Sequence, residues 1–142
     1  MSIQDGQEAN ALNFNAAFAS KTLYQNGKIS LANNTAAQTT LAFDLTKFRH
    51  VAIDYQIYRA TDSAGEIVEI GQIVLAALPA QALDANKWKL FQPLKVDDGT
   101  SPGVTFLISI VSGVVTLQAT TTNLAGTNHS CMVYYNSIST AA

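Results

Sequence analysis

The 142-residue chain is short of charge: 13% of its residues are Asp, Glu, Lys or Arg, about half the usual share in soluble proteins. Its surface must therefore be covered largely by Thr, Asn, Gln, Ser and Ala, a covering that tolerates contact with other protein. The eight Lys and Arg residues are scattered and the net charge is -2, which excludes a nucleic-acid binder that works through a basic stripe on phosphates. Cys131 stands alone, so neither an internal disulfide nor a cysteine-based metal site can be built from one chain. No apolar run approaches the roughly 18 residues of a membrane helix. The start, MSIQDGQEAN, lacks the basic and apolar regions of an export signal. A cytoplasmic, unglycosylated product is expected, with Asn33-Asn34-Thr35 and Asn128-His129-Ser130 read as ordinary loop sequence rather than acceptor sites.

Catalytic chemistry is equally sparse. Nucleophilic catalysis needs a base and an orienting group, and the two histidines, His50 and His129, have no flanking residues that mark a triad. Glu66 and Glu69 fall on opposite faces of one extended run and cannot pair by themselves. Asp97-Asp98-Gly99 lacks the spaced ligands of a calcium loop and reads as a turn. Cys131 lies inside an alternating run, where it reads as a small core residue. No enzyme, cofactor or metal is expected.

What is present is alternation. In His50 to Arg59, HVAIDYQIYR, residues Val51, Ile53, Tyr55 and Ile57 fall on one face and His50, Ala52, Asp54, Gln56 and Tyr58 on the other, the pattern of a strand with one core face. The other face, with Asp54 and Tyr58, should meet solvent or a neighbouring subunit. Leu41, Phe43 and Leu45 form a preceding strand, and Asn26-Gly27 is a turn signal before a short strand at Lys28 to Leu31. Glu66 to Leu78 is apolar on both faces, which suggests a strand covered on both sides, with Gly71 at a bulge or close approach; its last part has a helical alternative. Trp88, Leu90, Gln92, Leu94 and Val96 share one face of a run in which Pro93 marks an edge or a break, after a helical turn at Gln81 to Asn86.

VTFLISIV, Ser112-Gly113 and VVTLQATT form a hairpin with a two-residue turn. Residues flanking such a turn share a face, so Val104, Phe106, Ile108, Ile110, Val115, Leu117 and Ala119 point to the core. Leu107, Val111 and Val114 then make an apolar patch on the other side, covered either by another subunit or by a loop of the same chain. His129 to Ile138 supplies a last strand. About seven to eight antiparallel strands with turns between them indicate an all-β sandwich or jelly roll.

Residues 1 to 26 differ: Leu12, Ala16, Ala19 and Leu23 stand at helical spacing and Phe14 and Phe18 are four apart. A short helix or an extended arm are both open, docked on its own domain or on another surface. The stretch DGQEANALNFNAAFASKT followed by GKISL resembles the N-terminal segment of many tailed-phage virion proteins, and VAIDYQIYR, with the hairpin and a closing Tyr-containing strand, is similar to the compact β-sandwich domains that end phage fibres and appendages. The resemblance implies residues 1–31 as an attachment arm, with Leu12, Phe14, Phe18 and Leu23 as its contacts, and residues 32–142 as the sandwich. It implies a virion structural protein, assembled in the host cytoplasm, that self-associates as a homotrimer on the capsid, neck or tail. Asn33 to Thr40 is too short for a coiled-coil spacer, which favours a decoration or collar subunit over a projecting fibre. Exposed tyrosines, or a loop at Trp88, leave carbohydrate binding as the alternative, with Tyr58 and Asp54 as its candidates.

Overall fold

The computed structural model describes residues 22–44, 48–77 and 88–141. Eight strands follow one another: β1 Thr22–Ser30, β2 Gln38–Asp44, β3 Phe48–Thr61, β4 Gly65–Ala77, β5 Trp88–Asp97, β6 Val104–Val111, β7 Val114–Thr121 and β8 Ser130–Ala141. They form two antiparallel sheets, β1-β8-β3-β4-β5 and β2-β7-β6. The all-β sandwich expected from the alternation is present.

β3 lies at the centre of the larger sheet, paired with both β4 and β8 along nearly its whole length. Its alternation maps directly onto burial, with Val51, Ile53, Tyr55 and Ile57 in the core and Asp54, Gln56 and Tyr58 outside. Facing them across the sandwich are Phe43, Phe106, Val115, Leu117 and Ala119, and the Tyr55 and Phe106 rings meet at a centroid distance of 5.0 Å. Each of the Val, Ile, Leu and Phe side chains among them stabilises by about 1.5–3 kcal/mol on burial. The β6–β7 hairpin has the expected register, Val111 opposite Val114. Ser112 and Gly113 both take positive φ, as a turn matched to the right-handed strand twist requires.

Four local expectations are corrected. Asn26-Gly27 is no turn: both residues lie inside β1, opposite Asn136 and Tyr135, where ladder bonding to β8 overrides their local preference. Gly27 leaves room for the Tyr135 ring, since a Cβ there would stand 3.0 Å from its hydroxyl. β4 is not covered on both faces, because Ile70 is 43% exposed on the outer one. In β5 the register slips by one residue around Gln92 and Pro93, so Leu94 and Val96 pair with Gln72 and Ile70 on the outer face instead of continuing the inward side of Trp88 and Leu90. Pro93 falls within this slip on an edge strand, where a residue without an N–H is tolerated. Finally, β8 runs past Ile138 to Ala141, which pairs with Phe48.

Gly71 marks a close approach: a Cβ there would meet the Tyr55 hydroxyl at 2.3 Å. The helical alternative for the last part of Glu66 to Leu78 is not taken, since β4 stays extended through Ala77 in its pairing with β3 and β5; the helical turn at 81–86 and Leu45 lie outside the described residues, as do Leu12, Phe14 and Phe18. Leu23 belongs to β1, opposite Ser139, so the strand that closes the proposed arm is the edge of the five-stranded sheet, and Leu31 beyond it is core.

Candidate functional site

The two outer faces of the sandwich carry the residues singled out in the sequence, and they separate them. Leu107, Val111 and Val114 lie on the outer face of the three-stranded sheet, Leu107 half-buried and Val111 67% exposed. Asp54 and Tyr58 lie on the outer face of the five-stranded sheet, so the two groups form no continuous patch.

Cross-strand register orders the five-stranded outer face into rows. Asn26, Asn136, Asp54 and Gln72 form one row, and Lys28, Tyr134, Gln56 and Ile70 the next. Ser30, Met132, Tyr58 and Val68 form a third. Tyr58 and Tyr134 are 38% and 43% exposed and meet edge to face, ring centroids 5.8 Å apart at 82°, a geometry that aromatic quadrupoles favour. A depression of about 510 Å³ opens over Asn26, Asp54, Gln56, Tyr134 and Asn136. A second, of about 520 Å³, opens over Gln56, Tyr58, Glu66 and Tyr134. Asn26, Asp54, Gln56 and Asn136 are exposed, and among the described residues their side chains have no hydrogen-bond partner. Trp88, by contrast, is 3% exposed in the core and offers no platform.

The second polar cluster is internal. Arg59 follows the inward parity of β3 and is fully buried, and its hydrogen-bond acceptors among the described residues include no carboxylate. Its guanidinium donates to Asn33 Oδ1 at 2.7 Å, to His129 Nε2 at 3.1 Å, and to the carbonyls of Pro102 and Thr122. These acceptors come from the β1–β2, β5–β6 and β7–β8 connections, so one cation ties three loops together. Asn33 also accepts from the Leu124 N–H at 2.9 Å, and its side chain is half-buried in this network, consistent with a structural role for the first sequon. Burial, then the Arg59 charge, push the His129 imidazole below its ordinary pKa, and its Nε2 is occupied as an acceptor. Burial pushes the Cys131 thiol up, which keeps it an inert core group.

A third set links core to edge: Gln92 donates to the Tyr55 hydroxyl at 2.6 Å, which donates to Glu69 Oε2 at 2.8 Å. Burial and then Glu69 push the Tyr55 hydroxyl well above its usual range, so it stays a neutral donor. Glu69 Oε1 is buried without a partner among the described residues. Among the described residues no group of three potential metal ligands is found.

Sequence reasoning found Tyr58 and Asp54 and missed Tyr134, Asn136 and Asn26, whose place beside them depends on β1–β8–β3 pairing. Arg59 was legible as an inward position by its parity with Tyr55 and Ile57, but its acceptors were not.

No protein-family model matches this sequence, and no curated protein matches it. Among solved structures, the tailspike protein of Acinetobacter baumannii phage AM24 is similar at a TM-score of 0.45 and 9% identity, over 88% of this chain and 27% of the tailspike. The chain thus spans about a quarter of that protein's length, and a similarity of this size assigns neither family nor function.

Proposed function

We propose that this chain is a non-enzymatic structural protein of a tailed-phage virion that self-associates through the outer face of its three-stranded sheet and attaches to the capsid, neck or tail through residues 1–31. The observation that carries the self-association is the exposed apolar tip formed by Val111 and Val114, beside half-buried Leu107. Outward positions next to it are Ser109, Thr116, Gln118, Thr39 and Ala42, with Asp44 the one charge in these rows. Covering such a face removes apolar area from water and desolvates almost no charge. A homotrimer is the expected form, and the virion assignment is supported by the motifs of the N-terminal segment and of Asp54, Tyr55, Ile57 and Arg59.

Native mass measurement of the full chain tests this. A trimer that becomes monomeric in Val111→Asp is the expected result; a monomer at all concentrations, together with unchanged virion binding after removal of residues 1–21, overturns it. A second reading, carbohydrate recognition, is favoured by the exposed Tyr58–Tyr134 pair beside unpartnered polar side chains.

A further inference from the structure

We infer that the outer face of the five-stranded sheet is a binding site for an uncharged oligosaccharide that spans both depressions across Tyr134; this rests on the carbohydrate reading above.

Four features specify the ligand. Planar polar groups that lack hydrogen-bond partners among the described residues, Asn26, Asn136, Asp54 and Gln56, line the first depression; amides and a carboxylate pair naturally with the donor and acceptor hydroxyls of a sugar ring. Aromatic faces stand directly beside them, since Tyr134 borders both depressions and Tyr58 the second, and such faces pack on the apolar C–H side of a sugar while their hydroxyls stay wet.

Charge then sets the class. Asp54 and Glu66 are the acidic groups in or beside the two depressions, and neither depression is lined by Lys or Arg. Among the described residues Lys28, next to Tyr134 in its row, is the one cation near these two carboxylates, so anionic sugars would meet more like charge than opposite charge there, which favours neutral ones. Finally, Asp54 and Tyr58 are four residues apart on β3, about 13 Å at strand rise, so a single ring cannot engage both.

A second copy of this chain suits the polar rows around Asp54 poorly, the exposed apolar side chains Ile70, Leu94 and Val96 lying to their β4–β5 side. A two-fold axis through the row of Asn26, Asn136, Asp54 and Gln72 would bring Asp54 toward its own mate and bury the amides around it without fixed partners.

The test uses the full chain on an array of neutral hexose oligosaccharides and their uronic- and sialic-acid-bearing counterparts, followed by calorimetric titration of the strongest neutral one. Expected are neutral signals only, a loss of affinity of at least tenfold in Tyr134→Ala and in Asp54→Ala, and no loss in Asp98→Ala, an exposed position in the β5–β6 connection. Thermal unfolding of each variant at the parent temperature confirms that the exposed substitutions leave the fold intact. Preference for acidic glycans, or affinity unchanged by both Tyr134→Ala and Asp54→Ala, overturns the inference and leaves the carbohydrate reading standing. Absence of any glycan signal overturns both. A dimer abolished by Tyr134→Ala would assign the face to a second copy and also overturn it.

Discussion

The inner face of the three-stranded sheet is built from Phe43, Val104, Phe106, Val115, Leu117 and Ala119, with Thr121 where it ends, whereas that of the five-stranded sheet buries Arg59, Glu69, Ser137 and Ser139 among its Val and Ile residues. The outer faces differ too: one carries a field with Asp44 as its single charge around an apolar tip, the other polar rows beside two tyrosines, flanked by exposed Ile70, Leu94 and Val96 on β4 and β5. The smaller sheet is a lid held by apolar contact. The larger one organises the loops and carries the side chains able to recognise something. Removing a group from each should therefore fail in different ways.

Arg59→Ala should give the largest effect. It strands acceptors from Asn33, Pro102, Thr122 and His129, and leaving buried polar groups unpaired costs about 1–3 kcal/mol each. Relaxation and water entry will recover part of that, and a net loss of about 3–5 kcal/mol is expected in chemical denaturation, a large share of a typical domain's stability. Leu117→Ala, opposite in the lid, should cost about 3 kcal/mol through its cavity. Hydrogen exchange separates them: Arg59→Ala should accelerate exchange in all three loops, Leu117→Ala in β2 and β6. If both variants loosen the same amides, the division between the sheets is wrong.

Gly71→Ala probes how tightly the larger sheet is packed. A methyl placed at 2.3 Å from the Tyr55 hydroxyl must displace that ring from Glu69 Oε2. Overpacking typically costs about 1–3 kcal/mol, and near-ultraviolet circular dichroism of the tyrosines should change with it. Stability within error of the parent would show that Tyr55 has another seat.

Acid should act on the larger sheet's loops first. The folded-state pKa of His129 is depressed by burial and by Arg59, so the unfolded chain takes up its proton first as pH falls. Its contribution is complete above the unfolded value, near pH 6.5, and is lost as pH drops through the folded value. Protonation also removes the Nε2 acceptor from Arg59. The unfolding temperature is expected to fall between pH 7.5 and 5, and His129→Gln, which retains an acceptor, should flatten that fall; an equal fall in the variant assigns the acid sensitivity elsewhere.

These differences show what a sequence can and cannot carry. Alternation and the Ser112-Gly113 turn were sufficient for β3, β6 and β7, because both signals are local. One extra residue at Gln92 and Pro93 turned Leu94 and Val96 outward, and nothing in their own neighbourhood marks which strand will absorb a bulge. Asn26-Gly27 failed for the converse reason: a strong local preference was overridden by pairing with β8, more than a hundred residues later. The Arg59 contacts lie 26 to 70 residues away in sequence, and the cleft around Tyr134 exists only once β8 has inserted between β1 and β3.

The smallest effect on stability should come from the lid's outer face and yet be the most informative. Val111 flanks the hairpin turn at 67% exposure, so Val111→Ser removes little buried area and should change unfolding free energy by less than about 0.5 kcal/mol. If this tip is a subunit contact, the same substitution weakens every copy of a repeated interface at once, and the assembly equilibrium should move by an order of magnitude or more while the monomer stays folded. Sedimentation across a hundredfold concentration range reads both quantities in one sample. An unchanged assembly with Val111→Ser and Val114→Ser combined would remove the three-stranded face from the interface and leave its apolar tip as an ordinary hairpin end.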